Sequence, residues 1–171
     1  MINSQERVST EWIEALALEE LNMEMSGVVN FNEHLTPGAA LEESSIRFMD
    51  ELKDHLELFA SKFNEYRGAN AQIKIFKISN TVNDFMLYRN SLRLIINRRA
   101  SDTIAIGFLT GGGEILPARL GGNVPSVNGP HEIKAHVGAF NEITWRFRGE
   151  IVNTEAISRF YISEFIRNSA H

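Results

Sequence analysis

The spacing of apolar positions changes character near Gly68. Before it, hydrophobic residues recur at helical steps of three and four. After it, they alternate with polar residues, as in strands that are covered on one side. The first helical pattern starts near Ser9 or Thr10 and runs to about Met25, with Trp12, Ile13, Leu16, Leu18, Leu21, Met23 and Met25 wrapped around more than one face. A helix of that kind needs cover on two sides, from its own domain or from a second copy. Residues 27–35 read as a connection, and Thr36-Pro37 as a helix start, with Thr as N-cap and Pro in the first turn.

The second helix carries Leu41, Phe48 and a seam of Met49, Leu52, Leu56, Phe59, Phe63 and Tyr66, and Arg67-Gly68 stops it. Unbroken, it would be about 45 Å long, more than a small sheet covers. It therefore either breaks near Ser44-Ser45 or offers part of its seam to another partner. Beyond Gly68 the strand candidates are Ile73–Ser79, Asp84–Arg89, Leu92–Asn97, Thr103–Leu109, Glu132–Val137 and Ile143–Val152. Asn153 or Thr154 then caps a last helix whose apolar side holds Ile157, Phe160, Tyr161, Phe165 and Ile166.

Residues 84–97 fold on paper into a hairpin. With Asn90-Ser91 as a two-residue turn, Arg89 pairs with Leu92, Leu87 with Leu94 and Phe85 with Ile96. Phe85, Leu87, Leu92, Leu94 and Ile96 then share one face, while Met86, Tyr88, Arg93 and Ile95 share the other. The run from Ile143 splits in the same way, with Ile143, Trp145, Phe147 and Ile151 opposite Thr144, Arg146, Arg148 and Glu150. Together these patterns predict a single α+β domain. It would have a mostly antiparallel sheet of about five to six strands with helices on one face, two of them N-terminal and one C-terminal.

Between the fourth and fifth strands lies Thr110–Pro130, which holds six of the twelve glycines and three of the four prolines. A connection of that length is expected to be functional or mobile, and it is a candidate flap over a ligand pocket. Gly111-Gly112-Gly113 follows a strand but lacks both a Lys-Ser/Thr pair and a helix start, so it does not read as a phosphate loop.

Charge sharpens this picture. The net charge is −5, but residues 1–68 carry 5 basic and 14 acidic side chains, and residues 69–171 carry 12 and 8. The helical part is acidic and the strand-rich part basic, which favours contact between the two parts or between two copies. There is no cysteine, so disulfide, thiolate and cysteine–zinc chemistry is excluded. No apolar run approaches the ~20 residues of a membrane span. A cytoplasmic protein is expected.

Candidate chemistry is sparse. His131 and His136 stand five apart, so on a strand they point to opposite faces about 17 Å from each other. On a helix they miss the i, i+4 step of two-histidine metal sites. Neither metal nor cofactor is expected, and surface or capping roles are the default for these histidines. No serine nucleophile motif occurs. Tyr88, Arg93, Lys134, His136, Arg146 and Arg148 can share the polar sheet face, with Thr103, Ala105 and Gly107 as a low strip between them. Such a face suits an anionic ligand, an acidic helix or, less well, nucleic acid; it is also the ordinary solvated side of an antiparallel sheet. Three functions follow. The leading one is a non-catalytic module that self-associates, most simply as a homodimer. The second is a ligand binder or enzyme with a pocket under residues 110–130, using Arg119, His131, Glu132, His136 and Arg148. The third is an anion-binding surface on the arginine-rich face.

Overall fold

The computed structural model describes residue 8 and residues 10–27, 37–111, 115–116 and 129–170. The chain divides into two compact units, residues 1–40 and 41–171. The first contains helix α1 (Glu11–Ser26). Gly27 ends α1 in the left-handed region (φ 68°), where its N–H returns to the Met23 carbonyl at 2.9 Å. Only glycine adopts that conformation without a Cβ penalty. None of the α1 side chains is buried, and Trp12, Ile13, Leu18, Leu21 and Met25 are exposed.

Helix α2 (Pro37–Arg67) runs unbroken through Ser44-Ser45, and most of it belongs to the second unit. The Ser45 hydroxyl donates to the Glu42 carbonyl at 2.8 Å, so the two serines cause no break. Strands β1 (Lys74–Lys77), β2 (Phe85–Arg89), β3 (Leu92–Ala100), β4 (Thr103–Leu109), β6 (His131–Val137), β7 (Ile143–Phe147) and β8 (Glu150–Ile151) form an antiparallel sheet in that order. A two-residue strand, β5 (Ile115–Leu116), also pairs with β4. The fold is α+β, as expected, with a somewhat larger sheet. Helix α3 (Thr154–Asn168) follows, and the Asn153 side chain caps it by accepting from the Ala156 N–H at 2.8 Å. No helix among the described residues is long and apolar enough to cross a membrane.

The 84–97 hairpin has the expected register: Arg89 opposite Leu92, Leu87 opposite Leu94, Phe85 opposite Ile96. Asn90 and Ser91 both have positive φ, 48° and 67°, which is the two-residue turn whose twist matches the strands. The covered face joins Phe85, Leu87, Leu94, Ile96, Ile104, Ile106, Ile133 and Trp145 to Phe48, Met49, Leu52 and Leu56 of α2 and to Ile157, Tyr161, Ile162 and Phe165 of α3. Two expectations need correction. Tyr66, read as the end of the α2 seam, is exposed, so the seam stops at Phe63. The run Ile143–Val152 is not one strand. Arg148 (φ 51°) and Gly149 (φ 84°) turn it back, so that Phe147 pairs with Glu150 and Arg146 with Ile151. The turn reverses the alternation, which moves Ile151 off the covered face and leaves it exposed.

Candidate functional site

The outer sheet face does not gather all of the expected cations. Tyr88 pairs with Arg93, and Arg93 with Leu109, at one end of β4. Lys134 pairs with Thr103 at the other end. Six residues of strand separate the two positions, roughly 20 Å, so Tyr88 and Arg93 stand apart from the rest. Arg119 lies outside the described residues, as does most of the expected flap.

The others converge. Strands β6 and β7 pair only from Lys134 opposite Arg146 to Val137 opposite Ile143. Beyond Lys134 they part, and a cleft of about 650 Å³ opens between residues 130–136 and 146–149. Lys134, His136, Arg146 and Arg148 line it, together with Pro130 and Glu132. Arg146 donates from Nε to the Thr144 hydroxyl at 3.2 Å, and the Arg148 guanidinium lies over the Phe147 ring, 5.4 Å from its centroid. Neither arginine has a carboxylate partner among the described residues. Glu132, the acidic group of the cleft, is already engaged by Arg99 at 2.6 Å and Lys134 at 3.7 Å. Two guanidiniums at a concavity, with the nearby carboxylate neutralised, have the donor geometry and charge that a carboxylate or phosphate group requires.

His131 corrects the expectation of a surface or capping histidine. It pairs with Ile106, faces the core, and is only 2 % exposed. Its Nδ1 is hydrogen-bonded to the Tyr161 hydroxyl of α3, and its ring packs on Phe147 at 5.2 Å. Burial, and then the nearby Arg148 charge, hold its pKa below the usual imidazole value, so the ring is neutral. Burial pushes the Tyr161 phenol well above its ordinary range, so it keeps its proton. Among the described residues the Tyr161 hydroxyl bonds to no side chain but His131, so its proton is the one shared with Nδ1, which leaves the imidazole proton on Nε2. Nε2 has no hydrogen-bond partner among the described residues. The signal for this burial was in the sequence: His131 has the same strand parity as Ile133 and Val137.

A second concavity lies on the same outer face. Ile95, Ala105, Gly107 and Leu109 form its floor, the 78–84 connection supplies Ile78, Thr81 and Asp84, and Pro130 closes the other side around about 410 Å³. The Asp84 carboxylate is buried at its rim, accepting from Asn97 Nδ2 at 2.6 Å and the Arg98 N–H at 2.9 Å. Sequence patterning did not single out Asp84, Asn97 or Arg99, because their roles depend on the bulge between Arg98 and Ala100 and on strand order. Among the described residues no group of three or more histidines and carboxylates is placed to hold a metal ion. Comparisons with protein-family models, with curated proteins and with solved structures find no match to this chain.

Proposed function

We propose that this protein is a non-catalytic binding module that takes a small organic anion in the cleft where β6 and β7 part. The observation that carries the reading is the pair Arg146 and Arg148, which border that cleft without a carboxylate partner among the described residues. Basic residues on the open side of a sheet are ordinary. What supports binding is their convergence on a concavity while Glu132 is held by Arg99 and Lys134. The 146–149 wall of the cleft offers two fork-shaped donors, which suit a carboxylate or phosphate group. The expected test is a thermal-shift and calorimetric screen of phosphate, acetate, citrate, nucleotides and single-stranded oligonucleotides. Small anions should stabilise the wild type, with an effect that weakens with salt, and Arg146→Gln/Arg148→Gln should weaken their binding by roughly tenfold or more. A response to oligonucleotides alone would point to the nucleic-acid alternative instead.

A second reading, self-association, is supported by α1. An isolated 16-residue helix is marginal in water. Yet α1 shows Trp12, Leu18, Leu21 and Met25 on its surface. Pairing with a second copy would cover them. Light scattering on the full chain and on a variant lacking residues 1–26 tests this: a dimer that becomes a monomer supports it, and an unchanged mass removes it.

A further inference from the structure

The open face of an antiparallel sheet is ordinarily polar, but on β3 and β4 it carries an apolar patch between Arg93 and Asn97. Ile95 pairs with Gly107, and with Ala105 and Leu109 they make an apolar floor. Ile78 and Thr81 rise on one side and Pro130 on the other, so the floor is the base of a groove rather than an open surface. Gly107 allows that wall to stand so close, since a Cβ there would meet the Pro130 Cβ at 3.1 Å.

The groove and the basic cleft adjoin. Pro130 lines both. On the sheet, Ala105 of the groove floor pairs with Glu132 of the cleft wall. The low ridge between them is the Arg99–Glu132–Lys134 ion-pair chain. Asp84, Asn97 and Arg99 supply the polar part of the groove lining, with the Asp84 carboxylate held by Asn97 and the Arg98 N–H.

Resting on the anion-binding reading of the cleft, we infer that the ligand is an amphipathic carboxylate, with its charged end between Arg146 and Arg148 and its aliphatic or aromatic body on Ala105, Gly107 and Ile95, the floor residues nearest the cleft. The apolar floor and the unpaired arginines then serve one molecule. The groove selects ligands by the size of the apolar body, and the cleft by charge.

The test is calorimetric titration of the full chain with acetate, butyrate, hexanoate and octanoate. Wild-type affinity should rise by roughly threefold to fourfold per methylene placed on the groove floor. Ile95→Thr and Thr81→Trp, both on the outer face, should flatten that rise while leaving acetate affinity unchanged. Either variant suffices if the other fails to fold. Arg146→Gln/Arg148→Gln should weaken the whole series alike. A series that binds through the arginines with no dependence on chain length overturns this inference and leaves the cleft reading intact. So does binding of phosphate or citrate with no binding of any alkanoate. A chain-length dependence that survives in both groove variants also overturns it, because the apolar body would then lie elsewhere. Failure of every anion to bind removes the inference and the cleft reading together.

Discussion

His131 of β6 and Tyr161 of α3 share a hydrogen bond between Nδ1 and the phenol, which ties the sheet to the last helix inside the core. The histidine is neutral there, with its pKa lowered first by burial and then by Arg148. In the unfolded chain it returns to about 6.5. Between the lowered value and 6.5 the unfolded state holds the extra proton, so stability rises with pH through that window and is fully present above it. Stability is therefore lost as pH falls below about 6.5, by at most about 1.4 kcal/mol per pH unit from this group. His131→Gln should flatten the wild-type slope of the thermal midpoint between about pH 7 and pH 5. Parallel slopes for the two proteins would mean that His131 is not held neutral.

Tyr161→Phe removes the hydroxyl and leaves Nδ1 buried without a partner. The cost should be about 1–3 kcal/mol, that of an unsatisfied buried polar group. Denaturant unfolding at neutral pH measures it, and a variant as stable as the wild type would contradict the assigned bond.

Trp145 tests the assignment of the sheet faces. It is 6 % exposed, packs on Phe48 at a ring separation of 4.8 Å, and donates from Nε1 to Ser44 at 3.0 Å. Trp145→Ala should cost about 3–5 kcal/mol, a large part of the roughly 5–15 kcal/mol that holds a domain together. Unchanged thermal stability would place the covered face on the wrong side of β7.

Arg148 separates stability from binding. Its φ of 51° in a two-residue turn before Gly149 is a conformation that Asn adopts far more readily than Arg. Arg148→Asn should therefore leave stability equal or raise it by about 0.5–1 kcal/mol while weakening anion binding. A variant that is less stable and binds anions as well as the wild type would contradict both parts.

Much of this fold was legible in the sequence, for reasons that can be named. The 84–97 hairpin follows from alternation on both sides of Asn90-Ser91, where only one register buries Phe85, Leu87, Leu94 and Ile96 together. The β7–β8 hairpin was not legible, because Arg148 continues the polar alternation and conceals a turn that only Gly149 marks. Of the site, Lys134, His136, Arg146 and Arg148 were found by strand parity and are brought together. Parity cannot tell which strands adjoin, so Tyr88 and Arg93 were grouped with residues about 20 Å away. The groove was invisible for a related reason. Ile95 and Leu109 read as isolated apolar positions until β3 and β4 are paired and Pro130 is set over Gly107.

The most direct measurement is calorimetric titration of citrate into the wild type and into Arg146→Gln/Arg148→Gln, at about 20 and 200 mM salt, which brackets the Debye lengths over which exposed charges are screened. Unfolding of the wild type and of the double variant should be compared first, because Arg148 is exposed but Arg146 is half-buried. The wild type should bind with an affinity that falls with salt, and the folded double variant should lose roughly tenfold or more. A folded double variant that binds citrate as the wild type does, or a wild type that binds no small anion at either salt, would contradict the proposed function.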